Sequence, residues 1–416
     1  MTLIGNLIER NRAGEAIGLP CFCTANEHVL KAILAHAART NRPTVIEATC
    51  NQVNQDGGYT GMGPRDFMDW LMTMADQAGV PHERIVVGGD HLGPNPWRHL
   101  PPNQAMEKAR ELVRLYVEAG FTKIHLDSSM ACGGEANLSF EIIAERAADL
   151  CAVAEAHAPD PTKLIYIIGT EVPIPGGETD EPDILDVTSM ERFEATIATH
   201  RAAWSARGLD DAWGRIASVV TQPGVDFGHT QVYHFASEKA RPLSDAVCAH
   251  AGLTLEAHST DYQSTAALGE LVAQHFFFLK VGPELTFRFR EAIWALADIA
   301  QRLPDYDGPD IRAVLAKRMR DAPVHWEAYY TGRPEDLEIL KTFSYSDRIR
   351  YYWSDPEVVA ALTAMLEELS RTRLPETLVS QSFMGLEFGE ITGTPKDLIE
   401  GHVLRCVDRY FRAAGH

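Results

Sequence analysis

The sequence predicts an α/β chain built as a (β/α)8 TIM barrel with a C-terminal helical extension. Three observations carry this prediction: eight short apolar runs rich in β-branched residues, a longer amphipathic stretch after each, and the loss of that rhythm beyond residue 302. The runs fall at 19–24, 44–49, 85–91, 123–129, 164–171, 216–222, 254–258 and 277–282. Strand–helix alternation on this scale means parallel strands, because each helical crossover returns the chain to the same end of the sheet. Eight units favour closure, which leaves no exposed edge. The alternative is an open doubly wound sheet, but no GxGxxG turn follows the first strand. The expected division is therefore a barrel over 1–302 and helices packed on it over 303–416.

Taken in order, residues 1–20 place apolar side chains at helical spacing but interrupt them with Glu9, Arg10 and Arg12, so no signal-peptide core is present. After the second strand, EATCNQVNQDGGYTGM reads as a functional loop. Asn51, Gln52 and Asn54 could bind sugar hydroxyls, and Gly57 and Gly58 permit a backbone nest for a phosphate; an ordinary surface loop is the competing account. The third strand ends GGDHLGPN, offering Asp90 and His91. Period-two alternation should turn their side chains to opposite faces. In IHLDSS the same alternation sets His125, Asp127 and Ser129 on one face.

The fifth run ends in Glu171, followed by a Pro-Gly turn that could act as a lid. Gln222 and His229 lie in the loop after the sixth run, Glu256 and His258 close the seventh, and Lys280 precedes Gly282 at the end of the eighth. Barrel active sites gather at these C-terminal strand ends. His91, His229 and His258 suit a Zn²⁺ or similar ion with an open ligand position, although each histidine taken alone fits a hydrogen-bonded core or loop role. Asp90 and Glu171 are the candidate acids and bases, while Asp127, Gln222 and Lys280 are candidate substrate contacts. Phosphate binding is the first reading of Lys280 and a Schiff base the competing one. In the extension, SYSDRIRYYW concentrates Arg348 and Arg350 among aromatics, which suits phosphate contact or an interface; a capped amphipathic helix explains it almost as well.

Composition narrows the function classes. Lys plus Arg is 38 against 58 Asp plus Glu, so a net charge of −20 disfavours nucleic acid and anionic membrane as partners. Seven cysteines without a CxxC pair predict reduced thiols and a cytoplasmic protein. No apolar run approaches the roughly 20 residues of a membrane span.

The strings IEATCNQVNQDGGYTGM, GGDHLGPN, GFTKIHLDSSM, IGTEVPIPGGE, EAHSTDYQ, LKVGPELTFRFREAIWALA and SYSDRIRYYW resemble the Z subunit family of tagatose-1,6-bisphosphate aldolases over essentially the whole chain. The resemblance implies a relative of metal-dependent class II aldolases that supports a separate catalytic Y subunit in galactitol and amino-sugar catabolism. It also implies that Asp90 and His91 match the class II pair of proton-moving Asp and zinc-binding His. A GGSG-like phosphate loop is not found after the seventh strand. The alternative function is a metal-dependent ketose or ketose-phosphate 4-epimerase or aldolase acting by retro-aldol chemistry. A tagatose-6-phosphate kinase finds no support, since no GxxxxGK[ST] or other nucleotide motif is present. The expected partners are a sugar phosphate and the Y subunit, and a homo-oligomer is compatible with the sequence.

Overall fold

The computed structural model describes residues 3–40, 42–170, 185–386 and 392–416. Within them the strands are β1 Leu19–Cys23, β2 Thr44–Thr49, β3 Ile85–Leu92, β4 Lys123–Leu126, β5 Ile165–Ile168, β6 Ile216–Thr221, β7 Asp226–Phe227, β8 Val232–Tyr233, β9 Thr254–Ala257 and β10 Phe276–Val281. Eight of them close into a parallel barrel in the order β1-β2-β3-β4-β5-β6-β9-β10, with β10 returning to β1. Each predicted run overlaps one barrel strand. β7 and β8 form an antiparallel hairpin inside the segment read as a plain loop after the sixth run. Neither is longer than two residues, which is too short to leave a period in the sequence.

The barrel interior is layered. At its N-terminal end Leu19, Cys21, Val45, Ile167, Val220 and Phe278 pack together, and Ile4, Leu7 and Ile8 of the first helix, Leu3–Arg12, close that floor. Above the apolar layer the sequence places charges. Lys123 Nζ lies 2.7 Å from both Glu47 Oε1 and Glu256 Oε2, with all three side chains wholly buried. Lys280 also bonds Glu47 and reaches Asp90 Oδ1 at 2.6 Å. The register makes room for this: Gly88 sits opposite Glu47, and a Cβ there would come within 2.8 Å of the glutamate side chain.

Beyond the barrel, helices Ile311–Asp321, Pro334–Phe343, Pro356–Ser370, Glu376–Ser382 and Pro395–Ala413 continue the chain. The last packs against helices Glu27–Thr40, Thr265–Ala273 and Pro283–Ala300. Its Tyr410 and Phe411 approach Phe22 of β1 at 6.5 and 5.7 Å between ring centres, and Tyr410 donates to the Thr260 carbonyl at 2.7 Å. Burying two such rings is worth about 1.5–3 kcal/mol each, enough to hold the end of the chain on the barrel. Among the described residues no helix is long and apolar enough to cross a membrane.

Removing Lys123 would leave two carboxylates buried without their shared cation. A Lys123→Met variant should lose about 3–5 kcal/mol of stability in urea unfolding. Adding Glu47→Gln and Glu256→Gln should restore part of it, whereas equal midpoints for wild type and the single variant would contradict the pairing.

Candidate functional site

The C-terminal end of the barrel opens into a cavity of about 460 Å³ lined by Asp90, His91, His258 and Lys280 from the strand ends. Asp90 and His91 are sequence neighbours, yet both face it. The alternation expected from a regular strand is broken because His91 takes a left-handed backbone with φ of 51°. Ser259, next to His258, does the same with φ of 53°. Such conformations cost of order 1–3 kcal/mol each and persist where surrounding contacts enforce them, commonly at functional sites.

Three imidazoles meet here, each held by its own carboxylate. His91 Nδ1 is 2.8 Å from Asp127 Oδ2, His125 Nδ1 is 2.8 Å from Asp90 Oδ1, and His258 Nε2 is 2.9 Å from Glu256 Oε1. Their ring centres lie 5.0–5.2 Å apart. Imidazoles sharing one ion through bonds of about 2.0–2.1 Å have centres roughly that far apart. Carboxylate-backed histidines are also the usual outer shell of a metal site, since the carboxylate fixes the ring and makes the other nitrogen more basic.

The remaining nitrogens of His125 and His258 agree with that role, whereas that of His91 lies 3.7 Å from Asp90 Oδ2. His125 Nε2 is buried without a hydrogen-bond partner. Asp90, His125, Glu256 and His258 bring donor atoms within 4.8 Å of one another. Burial, with help from Lys280, lowers His258 to about 3, so its imidazole is neutral at physiological pH, as a ligand must be. These observations define a possible cation site. Its nitrogen side is the more open one, because Lys280 already occupies the Asp90 carboxylate.

Asp90 is the most connected group. Burial alone would raise its carboxyl, but the charges of His91 and Lys280 and the bond from His125 hold it well below the usual range. Cys23 Sγ donates to its second oxygen at 3.3 Å; burial and the Asp90 charge push that thiol up, so it stays protonated. For His91 burial opposes the charged form, and Asp90 and Asp127 outweigh it, raising the imidazole.

The structure sorts the remaining sequence candidates. Asn51 and Gln52 line the cavity. Asn54 is spent on its own loop, donating to Cys50 O at 2.7 Å and accepting from Asp56 and Gly58 amides. Gly57 and Gly58 have positive φ, and a Cβ on Gly58 would sit 2.3 Å from Gln52 O, so close approach within the loop already accounts for the glycine. Gln222 accepts from the Gly224 and Val225 amides. His229 is not brought to the other histidines: its nitrogens meet Ser346 Oγ and Tyr329 O, both at 3.1 Å, and its ring stands edge-on to Tyr330. Arg348 turns away to His325 O and covers the Tyr329 ring, whereas Arg350 lines the cavity. Glu171 lies outside the described residues.

His125 takes the place that the sequence reading gives to His229. Its only signal is position on the inward face of IHLDSS, two residues from Asp127. Glu47 and Lys123 leave even less trace, since their partners lie on other strands.

Residues 4–415 match the family described as D-tagatose-1,6-bisphosphate aldolase subunit GatZ/KbaZ-like. The chain belongs to this family. The D-tagatose-1,6-bisphosphate aldolase subunit GatZ of Escherichia coli is 45% identical over 97% of this chain and 98% of its own length. That of Shigella flexneri is 44% identical over the same shares. A crystal structure described as a probable tagatose 6 phosphate kinase from Sinorhizobium meliloti 1021 superposes with a TM-score of 0.88 at 43% identity, covering 95% of this chain and 100% of that one. The structural likeness extends over nearly the whole chain.

Asp261, also in the cavity wall, accepts from the Gly282 and Glu284 amides at 3.0 and 2.8 Å. Burial raises its carboxyl to about 7, with the Glu284 amide opposing and the Glu284 charge adding. A carboxyl raised on folding contributes stability that is complete below its unfolded pKa, about 4, and lost as pH rises through about 7. Asp261→Asn should therefore be more stable relative to wild type at pH 8 than at pH 5, the difference growing by up to about 1.4 kcal/mol per pH unit in between. Parallel urea-unfolding curves for the two proteins across pH 5–8 would refute this.

Proposed function

We propose that the chain is a Z-type subunit of a tagatose-1,6-bisphosphate aldolase, supporting the activity and stability of a class II catalytic Y subunit in tagatose phosphate catabolism in the cytoplasm. The observation that carries this reading is similarity to GatZ relatives over barrel and extension alike. On this reading 1–302 forms the barrel and 303–416 an extension that completes its cavity.

A second reading is favoured by a separate observation, three carboxylate-held imidazoles of which His91 and His258 line the cavity and His125 lies buried beside them. The chain would then itself act on a ketose phosphate, by aldol cleavage or as a 4-epimerase. His258, His125 and His91 would hold a divalent ion, and the nitrogen-rich donor set favours zinc. Such an ion, when bound, polarises a ketose carbonyl and the hydroxyl beside it. Asp90, kept ionised by Lys280 and His125, would accept the proton of the C4 hydroxyl as the C3–C4 bond breaks. Glu171 stays a candidate for the second proton transfer. Asn51 and Gln52 would meet sugar hydroxyls, and Asp127 would orient His91. Release of the aldehyde gives cleavage, and its re-addition after turning gives the C4 epimer.

Metal analysis of the purified protein should find about one divalent ion per chain, reduced in His258→Ala, His125→Ala and His91→Ala and unchanged in His229→Ala. Full metal content in all three of the first variants would end the metal reading. Activity is decided separately, by assaying tagatose 6-phosphate and tagatose 1,6-bisphosphate with the chain alone and with a Y subunit. Turnover only with the partner supports the subunit reading, and epimerised or cleaved product from the chain alone supports the second.

A further inference from the structure

Part of the cavity wall comes from outside the barrel, where the extension contributes Arg350, Tyr351, Trp353 and Ser354. Arg350 is half-buried there, with Nη1 donating to the Ser346 and Asp347 carbonyls and Nη2 to Tyr351 Oη at 2.9 Å. Among the described residues no carboxylate lies within ion-pair distance of it. Neighbouring arginines differ: Arg290 has Asp347 at 3.5 Å, while Arg288 and Arg409 share Glu284 at 3.0 and 2.5 Å. Asp347 attracts Arg350 through space but makes no ion pair with it; its carboxylate is in contact with Arg290 and with the Thr286 hydroxyl, the latter at 2.6 Å.

A guanidinium withdrawn from bulk water without a counter-charge in contact favours an anion that enters beside it. Lys280, the other cation of the cavity wall, is committed to Asp90 and Glu47 and cannot serve in this way. Tyr351 adds to the case. Its hydroxyl accepts from Arg350, which leaves the phenolic proton to donate, and its ring is wedged between Tyr59, edge-on at 4.7 Å, and His325, stacked at 5.0 Å. A planar charged donor beside a fixed hydroxyl suits a tetrahedral oxyanion.

We propose that Arg350 and Tyr351 form an anion subsite for the phosphate monoester of a phosphorylated ligand. The assignment rests on the reading that the cavity takes a ketose phosphate. It locates the phosphate on the extension instead of on Lys280 or the glycines at 57 and 58.

Calorimetric titration of the full chain with tagatose 6-phosphate, unphosphorylated tagatose and inorganic phosphate tests it. Wild type should bind the sugar phosphate more tightly than the free sugar, and Arg350→Gln should lose about 10-fold or more in affinity for the phosphorylated ligand alone. Tyr351→Phe keeps the ring packing, so it reports on the subsite even where Arg350→Gln fails to fold; it should lose several-fold. Tight sugar-phosphate binding that neither variant weakens overturns the subsite and spares the ketose-phosphate reading. Inorganic phosphate bound in an Arg350-dependent way, with neither sugar bound, sustains the subsite and removes that reading. Equal binding of both sugars, or no binding of any probe, overturns the proposal.

Discussion

The interaction on which the site depends is the buried ionic layer of Glu47, Lys123, Glu256 and Lys280 across the middle of the barrel. Charges in a low-dielectric interior are tolerable only when paired, and here each lysine bridges carboxylates from different strands. The layer adds little net stability over an apolar filling of equal volume, because desolvation offsets most of the attraction. Its consequence is positional. Four strands are tied together directly beneath the cavity, and the top of Lys280 becomes the electrostatic floor on which Asp90 stands.

From that floor the chemistry of the upper layer follows. Glu256 serves two masters: one oxygen meets Lys123 and the other holds His258, so the ionic layer and the imidazole cluster are one network. Asp90 likewise joins Lys280, His125 and Cys23. A proton arriving at Asp90 would disturb these contacts, and the neighbouring His91 and Lys280 charges with the His125 bond are why its carboxyl sits so low. The strained backbone at His91 belongs to the same logic: without the left-handed turn, Asp90 and His91 could not both face the cavity.

Much of this was legible in the sequence because it is local. Strand runs announce themselves by composition, and Asp90, His91 and His258 stand at run ends where barrels do chemistry. The failures have two causes: pairing across the barrel has no local signature, and loops that fold onto themselves use the same residues as loops that bind. His229 looks like His258 in its sequence context, yet the hairpin of β7 and β8 carries it to Ser346 and Tyr329. Asn54, Gly58 and Gln222 look like ligand contacts because polar and glycine-rich loops are built from the same residues that fold such loops onto themselves. Lys123 and Glu47 went unassigned because a lone charge inside an apolar run reads as an interruption until its partner is seen.

The extension changes the charge balance of the cavity wall. Strand ends alone supply a wall dominated by Asp90, Lys280 and imidazoles, in which every cation is already matched by a carboxylate. Arg350 breaks that balance from outside the barrel, and it does so beside Tyr351, whose edge contact with Tyr59 joins the extension to the loop after β2. The cavity wall is therefore complete only when both parts of the chain are in place. The carboxylate-held imidazoles and the arginine at the cavity wall are alike in being polar groups withdrawn from bulk water. Holding such groups together costs desolvation energy, which the paired carboxylates offset for the imidazoles and which the Ser346 and Asp347 carbonyls and the Tyr351 hydroxyl offset for Arg350.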